Sequence, residues 1–209
     1  MFLNWLRYAI PAVAAILAPA EFLHAALPTP NELPARASLA GQLLIASPRM
    51  GDPRFDQTVI LIVRHSQEGA VGLVLNRPLG ERPLASVLEM LGEKENSVGG
   101  SVQVFAGGPV QPEIGFVVHS TDYRRAETID IDGRVAMTST PEILRDMGHD
   151  KGPQKSLVLF GYAGWGPGQL EVELASGAWF IAPEEPALVF DEDRQKLWER
   201  AMARRTQDL

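Results

Sequence analysis

The sequence predicts an α+β fold: one domain of short strands that curl towards a barrel, with a few short helices. Apolar runs of strand length, several of them rich in β-branched residues, recur along the chain between glycine- and proline-rich turns. Helical spacing of apolar residues is confined to a few short stretches. Nothing repeats at the solenoid periods of roughly 20–50 residues.

The elements follow in order. Gln42–Ala46 and Thr58–Val63 read as buried strands, with Pro48-Arg-Met-Gly-Asp-Pro53 as the loop between them. Val71–Leu75 completes a meander after the turn at Gln67-Glu-Gly69. Leu84, Val87, Leu88 and Leu91 recur at helical spacing, so Pro83–Leu91 reads as a helix that Pro83 opens and Gly92 stops. Val102–Phe105 and Gly115–His119 look like a strand pair about the turn Ala106-Gly-Gly-Pro-Val-Gln-Pro112. Thr128–Ile131 and Val135–Thr138 flank Asp132-Gly133, a strong hairpin signal. Ser139 or Thr140 can cap a helix that starts at Pro141 and ends at Gly148. Ser156–Phe160 is a strand that leads into the glycine-rich stretch Gly161-Tyr-Ala-Gly-Trp-Gly-Pro-Gly168, read as a turn that starts a helix. Gly177–Ile181 is a further strand. Asp191–Arg205 reads as a closing helix packed through Leu197, Trp198, Ala201 and Met202.

At 209 residues, 45% of them hydrophobic, the chain can bury a core without covalent staples. It has no cysteine, which excludes disulfides, thiolate chemistry and cysteine-held zinc. Its formal net charge of -7 counts against nonspecific binding to nucleic-acid phosphates; a local basic patch remains open around Arg124 and Arg125. Residues 1–38 read as an N-terminal extension and 39–209 as the domain. Within the extension, Tyr8–Ala20 is apolar and follows Arg7, but is shorter than the roughly 18 residues of a membrane span. It reads either as a signal-like segment, with Ala18-Pro-Ala20 as a cleavage site, or as a dispensable tail. Pro28–Ala37 has linker composition.

Catalytic templates are missing: no serine elbow, no phosphate-binding loop, no dinucleotide fingerprint and no metal-spaced histidine pair among His24, His65, His119 and His149. No cofactor or metal is expected. His65 and His119, at strand ends, suit hydrogen-bonded structural roles, with titration as the alternative. Asp52-Pro-Arg-Phe-Asp56 is either a polar cluster at a cleft mouth or a loop held by Asx turns. Arg77 could grip a phosphate or carboxylate, or pair with Asp52 or Asp56. The turns at Gly107-Gly108 and Gly161–Gly168 could offer N–H groups to an anion, or could be tight turns packed around Tyr162 and Trp165. Glu171 and Glu173, two apart, would not share a helix face.

Together these motifs resemble the YqgE/AlgH family of bacterial proteins. The resemblance rests on Gly41-Gln-Leu-Leu-Ile-Ala-Ser-Pro48, Met50-Gly-Asp-Pro-Arg-Phe55, Thr58-Val59, His65, Gly69-Ala-Val-Gly-Leu73, Asn76-Arg-Pro78, Gly107-Gly-Pro-Val110, His119, Ser139-Thr140, Gly161-Tyr-Ala-Gly-Trp165 and Gly168-Gln-Leu170, in order from Leu39 to Phe190. It implies coiled or bifurcated sheets about a barrel-like core and a cytosolic protein whose relatives begin near the position of Leu39. One branch is named for a proposed regulatory role in exopolysaccharide (alginate) production. The family has no agreed catalytic residues; the matching positions mark a shared surface at Asp52, Arg77, Gly107, Gly108, Tyr162, Trp165 and Gln169. The expectation is a regulatory or binding protein with a small-molecule ligand or a protein partner and no integral membrane span. The alternative is a hydrolase or transferase acting on a phosphorylated or nucleotide-like molecule, with Asp52 or His65 as base. Direct DNA binding ranks third.

Overall fold

The structure of the chain, a computed structural model, describes residues 38–93 and 97–206. The expectations for the apolar N-terminal run, the linker and His24 lie outside the described residues.

Among the described residues, ten strands form one curled sheet: β1 (Gln42–Ala46), β2 (Val59–Ser66), β3 (Gly69–Val74), β4 (Pro78–Pro83), β5 (Ser101–Ala106), β6 (Val110–Ser120), β7 (Ile129–Asp130), β8 (Val135–Thr138), β9 (Ser156–Trp165) and β10 (Trp179–Pro183). The strand path runs β10-β1-β2-β3-β9-β6-β8-β7, with β4 and β5 branching from β9. Five short helices among the described residues cover it: α1 (Leu84–Met90), α2 (Glu142–Gly148), α3 (Gln169–Ala175), α4 (Pro186–Val189) and α5 (Leu197–Met202). This is the expected α+β domain.

Strand β9 is where the sheet forks. Its first half pairs in parallel with β5 and antiparallel with β6; its second half leaves β5 and pairs with β3. Gly161 sits at the branch with φ +73°. Leu159 packs into the cluster that includes Leu43, Leu61 and Leu73, and Tyr162, three residues on, packs against the same cluster. Strict alternation would place them on opposite faces, so the backbone turns over at Gly161; the surplus residues of the β6–β9 register shift lie opposite it on β6, between Val110 and Gly115. A Cβ there would lie 2.5 Å from the Gly108 carbonyl oxygen. One at Gly107 or Gly108 would strike the backbone of Gly161 or Tyr162. The two glycine motifs are therefore the two sides of one close backbone crossing.

Three clusters fill the faces. One lies beneath α4 and α5 and holds Leu188, Leu197 and Ala201. A second joins Val158 and Phe160 to Val87 and Leu88 of α1 and Ile143 and Leu144 of α2. A third places Ala163, Trp165 and Trp179 against Leu170 of α3. Each fully buried leucine contributes about 1.5–3 kcal/mol of transfer free energy, so the clusters, rather than the short helices, hold the elements in place.

Several expectations need correction. Val102–Phe105 and Gly115–His119 are strands but do not pair; β9 lies between them, because its apolar alternation serves both faces. Gly161–Trp165 continues β9, and the turn comes at Gly166-Pro-Gly168. Pro141 occupies the cap position of α2, with no side-chain cap. The closing helix is only Leu197–Met202. Upstream, Asp191 Oδ1 accepts the Asp193 N–H at 3.0 Å and Arg194 turns back to the Val189 carbonyl, so these residues form turns. Strand β4 and helix α4 were not anticipated.

Candidate functional site

The seven positions singled out in the sequence fall into three places. Asp52 caps a single 3-10 turn at Pro53–Phe55 through the Arg54 N–H, at 2.9 Å. Its carboxylate also takes the Arg54 guanidinium at 2.6 Å, which holds it below the usual carboxylate range. Arg77 donates to the Asp56 backbone carbonyl rather than to either carboxylate. Beside it, Asn76 accepts the Val59 N–H at 3.0 Å and donates to the Gln57 carbonyl at 2.8 Å, so the two loops are tied together. At the fork, the Gly107 N–H donates to the Phe160 carbonyl at 2.7 Å and the Gly107 carbonyl accepts from Val74 at 2.8 Å. That amide is committed to the ladder.

Trp165 and Gln169 converge on Glu173. Its Oε2 accepts the indole N–H of Trp165 at 2.9 Å and of Trp179 at 2.8 Å, and its Oε1 accepts the Gln169 amide at 2.8 Å. The two indoles meet edge to face at 6.0 Å, and Phe55 meets Trp179 at 5.6 Å. A buried indole needs an acceptor, and one carboxylate serves both rings. Tyr162 lies edge-on to Phe116 at 6.3 Å.

The histidines do not come together. His65 Nδ1 accepts the Leu39 N–H at 3.0 Å, so its proton sits on Nε2 and is donated to Glu171 at 2.8 Å. Glu171 and Glu173 thus serve different partners, as their spacing requires. His119 is fully buried on β6. Its Nδ1–H donates to the Ser120 carbonyl and its Nε2 accepts from Thr138 Oγ1, both at 2.9 Å; Thr138 in turn meets Thr128 at 2.8 Å. Burial lowers the His119 pKa, partly opposed by the Ser120 bond and by Asp122. The basic pair is also engaged: Arg124 with Asp130, and Arg125 with Asp146 and the Tyr123 hydroxyl.

A groove of about 730 Å³ opens between β5, the start of β9 and the segment after α4. Phe105, Leu157 and Phe190 supply its apolar wall, and Gln103, Gln154 and Lys155 its polar one. Arg194 projects at its edge, with its guanidinium 5.5 Å from the Phe105 ring centroid. One of its nitrogens donates to the Val189 carbonyl at 2.8 Å. Burial pulls its pKa down to about 10, against the charge of Asp191, so it remains a cation at neutral pH. Asp191 and Asp193 are both taken by Arg200, and among the described residues no carboxylate lies within ion-pair distance of Arg194. Glu192 and Asp193 also line the groove, making its rim mixed in sign. Sequence reasoning missed this site because Asp191-Glu-Asp-Arg194 reads as a charged first helical turn; only the tertiary fold lays it across Phe105. Among the described residues no group of three or more potential ligands could hold a metal ion, and no helix is long and apolar enough to cross a membrane.

A family profile described as AlgH-like (DUF179) matches residues 43–209. A UPF0301 protein of Jannaschia sp. (strain CCS1) is 45% identical over 166 residues, covering 78% of this chain and 86% of the relative. One from Methylococcus capsulatus is 38% identical over 174 residues, covering 83% and 95%. The solution structure of the AlgH protein from Pseudomonas aeruginosa is similar at a TM-score of 0.70 and 39% identity, over 83% of this chain and 92% of that one. A crystal structure from Corynebacterium diphtheriae, at 24% identity and a TM-score of 0.61 over 80% and 87%, shares the fold.

Proposed function

This chain belongs to the AlgH-like family, and from that premise we propose that it is a cytosolic binding protein with a regulatory role. Its ligand is a small organic anion held in the Arg194 groove. The observation that carries this reading is the half-buried guanidinium without a carboxylate partner. A desolvated cation is costly unless it is paired, and a ligand carboxylate or phosphate supplies the missing charge with bidentate geometry. The ring of Phe105 and the neighbouring Phe190 suit an apolar or aromatic body on the same ligand. Lys155 offers a second cation, while Glu192 and Asp193 disfavour highly charged anions. A link to exopolysaccharide control would pass through such a ligand or through a protein partner, rather than through DNA.

In this reading Asp52, Arg77, Gly107, Gly108, Tyr162, Trp165 and Gln169 support the fold, and none of them lines the groove. The alternative, a hydrolase or transferase, needs Asp52 or His65 as base beside Arg77 and the glycine turn. Each of these groups is bonded elsewhere, to Arg54, to Leu39 and Glu171, to Asp56 and to Phe160. Ligand-observed NMR with a panel of small carboxylates and phosphate esters tests the proposal. Binding without turnover supports it; reproducible conversion of a bound compound overturns the non-enzymatic part.

A further inference from the structure

Glu184 follows β10 with its side chain fully buried, yet neither carboxyl oxygen meets a hydrogen-bond donor among the described residues. Two groups face it from the β7–β8 turn. Arg134 Nε lies 3.3 Å from Glu184 Oε2, within ion-pair range but outside hydrogen-bond geometry, and about half of that arginine side chain is exposed to solvent. The second is Asp132, whose carboxylate already accepts the N–H groups of Arg134 at 3.0 Å and Val135 at 3.3 Å, and the Arg134 guanidinium at 3.0 Å. Next in sequence, Glu185 pairs outward with Arg204 at 3.3 Å.

Two adjacent carboxyls, one of them fully buried, cannot both ionise at low cost, so one keeps its proton. Asp132 has the donors, so the proton resides on Glu184, whose O–H then donates to Asp132. Burial, then the hydrogen bond and charge of Asp132, push Glu184 up to about 8, against the pull of Arg134 and with a small push from Glu185. Burial also works against ionised Asp132, but the bonds from Glu184, Arg134 and Val135 hold it below its ordinary range.

The position of the pair gives it a role. The strand path ends at β10 on one side and at β8 and β7 on the other, and among the described strands no ladder joins these ends. Glu184 stands beside the first end and Asp132 and Arg134 in the turn of the second. A Cβ on Gly41, just before β1, would lie 2.8 Å from Asp132 Cβ, so the backbones also meet there. We infer that the Glu184–Asp132 pair is a pH-operated latch closing the seam of the curled sheet, shut by a shared proton and released when that proton leaves. The folded pKa is raised above the ordinary 4.5, so the stabilisation is complete below that value and is lost as pH rises through about 8.

Hydrogen–deuterium exchange of the full chain at about pH 6.5 and about pH 9, corrected for intrinsic amide rates, tests this. Wild type should lose about ten-fold protection in residues 129–135 and 180–185 at the higher pH. Glu184→Gln, which keeps a donor to Asp132 but cannot ionise, should show no such loss. Wild-type protection that is independent of pH, or equally pH-dependent in Glu184→Gln, would overturn the latch. If that variant does not fold, a carboxyl ¹³C titration of wild type decides: a Glu184 midpoint near 8 supports the latch, and one in the ordinary carboxylate range ends it.

Discussion

Gly161 and Gly133 both have positive φ, +73° and +81°, but only Gly161 lacks room for a side chain. Gly133→Ala meets nothing within 4 Å and should cost about 1 kcal/mol, the strain of a left-handed alanine. Gly161→Ala adds a collision with the Gly108 carbonyl and should cost about 3 kcal/mol or more. Urea denaturation of the two variants checks this, and equal losses would mean that the crossing at the fork is looser than described. Glu173 is the second decisive residue, since one carboxylate satisfies two indoles. Glu173→Ala strands both N–H groups and should cost about 2–4 kcal/mol, with a changed near-ultraviolet dichroism from the Trp165–Trp179 pair. Wild-type stability in that variant would assign the rings another acceptor.

Among the elements, those specified by local chemistry were legible. The β-branched run Val59–Val63, the Asp132-Gly133 hairpin and the Pro83 and Gly92 boundaries of α1 each rest on residues adjacent in sequence. Strand β9 was half legible: its apolar start reads as strand, but Gly161-Tyr-Ala-Gly-Trp165 reads as turn. What makes it strand is Gly107-Gly108, far away in sequence, whose missing side chains let two backbones cross. Strand β4 was illegible because Pro-Leu-Gly-Glu-Arg-Pro has almost no strand-forming residue and exists as an edge against β5. The candidate site was the least legible part. The sequence singles out glycines and tryptophans, which build the fork and the Glu173 cluster. Arg194 and Glu184 sit in acidic stretches that look solvent-exposed, and only burial gives them meaning.

Across the whole molecule, two buried groups set opposing pH dependences. His119, lowered by burial, contributes stability that is full above its ordinary 6.5 and is lost as pH falls. Glu184 contributes stability that is lost as pH rises from 4.5 through about 8. Melting temperature should therefore fall on both sides of a weakly acid optimum. His119→Phe should remove the fall that begins just below 6.5, leaving the alkaline limb and the loss at lower pH from lowered carboxylates such as Asp132 and Asp191; an unchanged onset of the acid limb, or loss of the alkaline limb, would contradict the assignment.

If Arg194 holds an anion, calorimetric titration of any compound that raises the melting temperature will read its contribution. A ligand present at 100 times its dissociation constant adds about 2.7 kcal/mol of stability, which a thermal-shift screen detects. Arg194→Gln should weaken binding at least about ten-fold, some 1.4 kcal/mol, while Arg77→Gln should leave it unchanged. Undiminished affinity in Arg194→Gln, or a loss confined to Arg77→Gln, would contradict it and move the site to the loops around Asp52.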